Sequence, residues 1–219
     1  MCWNQHVSIN TFLFGIFSLI LIAFNNKYSN YKISFFKNPY SYIFMLSVIL
    51  MQFFEFVLWR NIKNYKINRI FSFFGILLIC IQPIASLFLI TNISLRNKML
   101  VVYTIPTILF FIFNIIITDI HTTISPSGHL SWKWTFAKTF LLKTIILSFY
   151  LFFLFFSLIY NKYYESLFYL FVYFLFVYYF GKDGSSGSVW CLFINTLFLY
   201  FLFEILIVMP YSETFRKYI

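Results

Sequence analysis

Seven long apolar stretches follow one another along the chain, separated by short segments that hold most of its charge. A helix needs roughly 20 apolar residues to cross a hydrocarbon layer about 30 Å thick, and the stretches have that length. The pattern predicts membrane-spanning helices over residues 7–24, 39–59, 70–93, 99–118, 140–160, 163–180 and 188–211. The sixth is short and follows a tight turn at Asn161 and Lys162, but residues 140–180 are too long for a single crossing. None of the stretches alternates polar and apolar residues over strand lengths, which excludes a transmembrane barrel. The expected fold is therefore all-α: one domain over residues 1–219, built as a bundle of seven transmembrane helices.

Composition supports lipid as the solvent. The chain is 62% apolar and 10% charged, with a mean hydropathy of +0.85, too little polar surface for a water-soluble fold of its size. The 34 Phe and 17 Tyr accompany an excess of Lys over Arg and few Ala, the profile of A+T-rich codons rather than of an aromatic site. The net charge of +10 suits contact with anionic headgroups, and no basic patch with interleaved aromatics points to nucleic acid. The partner this composition implies is the lipid bilayer. Lys143 does not prevent its span from inserting. A central Lys costs about 2.5 to 3.5 kcal/mol, each Phe, Leu, Ile or Val returns about 0.3 to 0.6, and Lys143 lies near the start of the span, where it can snorkel. The first stretch lacks a preceding basic residue and a small-x-small cleavage pattern, so it reads as a retained helix rather than a signal peptide.

Seven crossings put the N-terminus on one face of the membrane and the C-terminus on the other. Basic residues divide equally between the two faces, so charge does not set the orientation. The terminal Arg216-Lys217-Tyr218-Ile219 resembles a dibasic retrieval signal of the endoplasmic reticulum, which would place the C-terminus in the cytosol and the N-terminus in the lumen or outside the cell. Trp3, Trp59, Trp132, Trp134 and Trp190 all map to the N-terminal face, as do His6, His121 and His129. Tyr is concentrated on the opposite face. An aromatic belt and a functional cluster both fit this division.

Polar residues inside the spans point to the N-terminal half of the bundle. Glu55, Lys143, Asn195 and Gln52 lie within about two turns of that face, and Gln82 lies near mid-membrane beside Pro83. Intramembrane ionisable groups are costly and mark pathways or sites by default. Glu55 and Lys143 have similar depth and are expected to pair. Cys2 and Cys191 lie at the same face. They read as a disulfide if that face is oxidising, as soft-metal ligands with His129 if it is reducing, or as inert thiols. The longest loop contains Ser125-Pro126-Ser127-Gly128-His129-Leu130-Ser131-Trp132, where Pro126 and Gly128 favour a turn and a structured cap. The expected site is a polar vestibule on the N-terminal face. Glu55, Gln82, Lys143 and Asn195 line it, with His129, Trp132 and Trp190 close by.

The start Met1-Cys2-Trp3, the mid-span Gln82-Pro83, the stretch Gly128-His129-Leu130-Ser131-Trp132 and the pair Trp190-Cys191 with Asn195 resemble a family of multi-pass membrane proteins found in large DNA viruses, algae and bacteria. That resemblance implies a seven-span fold and a viral source, with a virion envelope as a second candidate location, and it carries no activity. A microbial rhodopsin would need a Lys midway along residues 188–211, and a zinc-dependent ceramidase-like hydrolase would need His within the spans; neither is present. Three functions stay open: binding or conduction of a small molecule or ion through the vestibule, a structural role in a membrane or virion, and a metal-dependent enzyme using Cys2, His129 and Cys191. The residues identify neither a cofactor nor an oligomeric state.

Overall fold

The computed structural model describes residues 4–134, 137, 139–163, 172 and 186–212, with the backbone alone at residues 140 and 186–194. Among these residues six helices are long and apolar enough to cross a membrane. They are α1 (Gln5–Tyr28), α2 (Pro39–Arg60), α3 (Tyr65–Leu87), α4 (Ile93–Ile117), α5 (Phe140–Tyr160) and α6 (Ser186–Phe203). The last continues through a π-helical turn at Glu204–Val208 into residues 209–212. A short 3₁₀ turn at Ser34–Lys37 precedes α2. Between α4 and α5 lies an antiparallel hairpin, β1 (His121–Ile124) and β2 (Leu130–Lys133). The purely helical expectation did not include these strands. The predicted span over residues 163–180 lies outside the described residues, apart from Tyr163 and Val172.

Several helices begin earlier than their apolar runs, because each start is set by a polar cap outside the hydrocarbon. Asn4, Asn38, Asn64, Asn92 and Thr139 each place a side-chain oxygen on the free N–H groups of the first turn, which lipid could not satisfy. Pro39 occupies the first position of α2, where its missing N–H costs nothing. Pro83 and Pro106 lie within α3 and α4 without ending them. The Tyr103 hydroxyl of α4 donates to the Cys80 carbonyl at 3.0 Å, one residue from the Ile79 carbonyl that Pro83 leaves without its helical donor.

Helix α3 is the hub, packing against α2, α4, α5 and β1, while α1 packs against both α2 and α6. One apolar core lies toward the C-terminal face. There Phe35 and Phe36 meet Phe201 of α6, and Phe35 also meets Tyr163. A second lies toward the N-terminal face, where Met51, Leu58 and Ile76 surround Leu130 and Trp134. A third joins α3, α4 and α5 around Tyr103 and Phe153. Large apolar side chains such as Leu13, Phe17 and Ile20 on α1 and Ile105, Ile108, Ile112 and Ile116 on α4 face outward, as lipid requires.

Bulky side chains are not all that joins these helices. Small residues also admit close contacts between them. The Ser86 hydroxyl reaches the Leu154 carbonyl at 2.6 Å and the Ser157 hydroxyl at 2.5 Å, pinning α3 to α5. A Cβ added at Gly75 would lie 2.5 Å from the Trp134 ring, so only glycine lets the indole approach α3 this closely. Helix α5 ends as the tight turn at Asn161 and Lys162 predicted. Lys162 takes a left-handed φ of 62°. Its N–H donates to the Ile159 carbonyl and that of Tyr163 to Leu158, both at 2.9 Å, which is the Schellman arrangement.

Two substitutions test these joints. Gly75→Ala forces the indole out of its seat and is expected to destabilise the protein by about 1 to 3 kcal/mol in a detergent melt, part of which Trp134→Phe in the same chain restores. Lys162→Gly removes the left-handed penalty and is expected to stabilise by about 1 kcal/mol in the same measurement.

Candidate functional site

The hairpin is the element that builds the N-terminal end of the bundle. Its turn forms as Pro126 and Gly128 suggested. Gly128 adopts a φ of 80° and donates its N–H to the Ser125 carbonyl at 2.9 Å, while the Ser125 hydroxyl accepts from the His129 N–H at 3.2 Å. Thr122 stands opposite Trp132 and Ile124 opposite Leu130. A two-stranded ribbon is marginal by itself in water, and near lipid any unpaired edge is costlier still. Here α3 provides the missing edge through a side chain. The Asn68 amide donates to the Thr122 carbonyl at 2.9 Å, and its oxygen accepts the Thr122 N–H at 2.8 Å, so it pairs with β1 as a third strand would.

One turn along the same face of α3, the Ser72 hydroxyl meets the Thr122 hydroxyl at 2.7 Å. The Trp134 indole N–H donates to that Thr122 oxygen at 3.0 Å, and Trp132 stacks on Trp134 with centroids 4.3 Å apart and an angle of 5°. Asn68, Ser72 and Thr122 are all buried. The paired Trp residues therefore serve as packing for the cap. The exposed Tyr28, Tyr40, Tyr160 and Tyr211 have the character of an interfacial belt.

The residues singled out from sequence separate into distinct environments. Glu55 on α2 has no exposed surface, and Gln52, one turn before it, is 2% exposed. Gln52 accepts a hydrogen bond from the Thr11 hydroxyl of α1 at 3.2 Å. His129 is buried in the hairpin, and Trp132 is half-buried. Gln82 belongs to a different set of contacts. It accepts from the Tyr150 hydroxyl at 2.7 Å and donates to the Ser47 carbonyl at 3.3 Å, joining α2, α3 and α5 in mid-membrane.

Lys143 is exposed on α5 and forms no ion pair among the described residues, so the expected Glu55–Lys143 pair is not made. Equal depth does not bring the two together, because α5 packs on α3 and turns Lys143 outward. Asn195 is half-buried on α6. The side chains of Trp190 and Cys191, and all of Cys2, lie outside the described residues, and the disulfide or metal reading lies there with them. Of the histidines, His129 is buried, His6 is exposed, and His121 lies 3.4 Å from the Asp119 carboxylate. Among the described residues no three His, Cys, Asp or Glu side chains come together as metal ligands. Two surface concavities lie elsewhere: one of about 940 Å³ against the α2–α3 turn and one of about 470 Å³ along α5.

Sequence reasoning missed Asn68, Ser72 and Gly75 as a docking face. Their spacing of four and then three residues is the signal that could have found them, since it puts three small or polar side chains on one side of a helix.

Asn68→Ala would leave both the Thr122 N–H and its carbonyl without a partner. The expected cost is about 2 kcal/mol, read as roughly thirtyfold faster hydrogen exchange at the Thr122 amide with the helical amides of α5 unchanged. Comparisons with family models, with curated proteins and with solved structures find no match to this chain.

Proposed function

We propose that this multi-pass membrane protein binds or conducts a small solute at buried polar groups beneath the hairpin, with Glu55 as its central residue. The observation that carries the reading is the position of Glu55, wholly buried within a transmembrane helix. Among the described residues, neutral groups make helix contacts such as Ser86 with Ser157 and Gln82 with Tyr150, and Asn68 joins α3 to Thr122. An ionisable side chain buried in lipid is costly. A carboxyl group in a chain with a net charge of +10 suits a small cation, the proton included. Gln52 and His129 supply further polar groups in the same half of the bundle, and the hairpin covers it.

The reading includes a seventh crossing. Tyr163 packs against Phe35 near the C-terminal face, while α6 packs against β2 of the N-terminal cap and ends beside the C-terminal core. A crossing by the apolar run over residues 163–180, which has the length for it, would fit a chain that leaves one face and resumes at the other. A structural or virion membrane component is the second reading, favoured by the closed pairing of Gln82, Tyr150 and Ser47 in mid-membrane.

The two separate in proteoliposomes holding the full chain, with proton, Na⁺ and K⁺ flux measured against empty vesicles. Solute handling predicts flux above the empty control and at least a tenfold fall in Glu55→Gln. Flux equal to empty vesicles would leave the structural reading, and a Glu55→Gln variant as active as a conducting parent would remove Glu55 from the path.

A further inference from the structure

The α2–α3 turn concentrates charge in a way that neither helix explains. Arg60, Lys63, Lys66 and Arg69 fall within ten residues, and no acidic residue occurs between Glu55 and Asp119. All four are exposed, and none is ion-paired among the described residues. Asp119, the next carboxylate after the turn, is engaged by the Tyr65 hydroxyl at 2.7 Å and by His121. Arg60 has a local reason for its place, since it ends α2 and lies 5.8 Å from the Phe56 ring centre; a cation is favoured at a helix C-terminus. Lys66 has the opposite. It occupies the first turn of α3, which contains no acidic residue, so it adds positive charge where the helix already presents its positive pole. An anion bound at this point relieves that conflict.

The turn also borders an open surface hollow. A concavity of about 940 Å³ is lined by Arg60, Lys63 and Lys66 together with Asn61, Asn64 and Tyr65. It lies where two transmembrane helices meet water, the level occupied by lipid headgroups. We propose that this turn is a binding site for the phosphate of an anionic phospholipid headgroup. Lys63 and Lys66 supply point charges and Arg60 a forked donor, while the apolar exterior of α2 and α3 accepts the acyl chains.

The test uses the purified full chain in neutral detergent, titrated with phosphatidic acid, phosphatidylglycerol or phosphatidylcholine and read by native mass spectrometry. A parallel arm adds inorganic phosphate at equal concentration to the lipid-loaded protein. The two anionic lipids are expected to be retained and phosphatidylcholine not. Each Lys→Gln change at 63 or 66 is expected to weaken retention about fivefold, and the triple Arg60→Gln, Lys63→Gln, Lys66→Gln variant roughly a hundredfold. Lys143→Gln, on the outward face of α5, controls for loss of charge alone and should leave retention unchanged. The single variants change exposed side chains only, so a detergent melt matching the parent confirms that they fold. Equal retention of phosphatidylcholine, undiminished retention in both single variants, or inorganic phosphate displacing lipid at equal concentration would each overturn the lipid assignment. The last would identify a soluble phosphate as the ligand.

Discussion

Lipid offers no hydrogen bonds, and the organisation of this protein follows from that. Helices meet the constraint internally. A hairpin cannot, because each of its strands leaves an edge open. The chain brings β1 and β2 against the bundle all the same, and the Asn68 amide resolves the difficulty by presenting one donor and one acceptor at the spacing of a peptide group. Ser72 and Trp134 then complete the Thr122 hydroxyl, and the glycine at position 75 lets the indole close on the helix. Remove that amide and β1 loses its backbone pairing with the bundle.

The same economy runs through the rest of the bundle. Asn and Thr caps satisfy the helix starts, Ser hydroxyls reach across to carbonyls of neighbouring helices, and the Lys162 turn closes the end of α5 with two backbone bonds. These contacts are neutral and short-ranged. They set apart Glu55, an ionisable group wholly buried in α2, and the exposed cations of the α2–α3 turn, which face water instead of the interior. The two features occupy different depths, and each can be disturbed without touching the other.

Hydropathy along the chain revealed depth well. It located five of the six described helices to within a few residues at most ends, and the turns at Lys162 and Gly128 were readable from local residue chemistry. Azimuth was not readable in the same way. Glu55 and Lys143 share a level in the membrane, but the order of helices around the bundle turns one inward and the other outward, and no single-residue property encodes that order. Asn68 was hidden for a related reason. A polar residue just before an apolar run reads as part of the headgroup loop, so the span was begun after it, and the three-residue docking face of α3 was divided between loop and helix. The strands were obscured because a four-residue ribbon leaves too short an alternation to register beside long helical runs.

The contact between α1 and α6 has a bearing on how the molecule is made. These helices are neighbours in space and far apart in sequence, with the hub α3 and the hairpin synthesised between them. As the chain enters the bilayer from its N-terminus, α1 can pair with α2 at once, but its remaining flank stays in lipid until α6 arrives. Closure of the bundle is thus a late event that depends on nearly the whole polypeptide having been inserted, and β2 waits for the same helix. Until then the nascent protein carries an open seam along α1, available to whatever insertion machinery or lipid shields it.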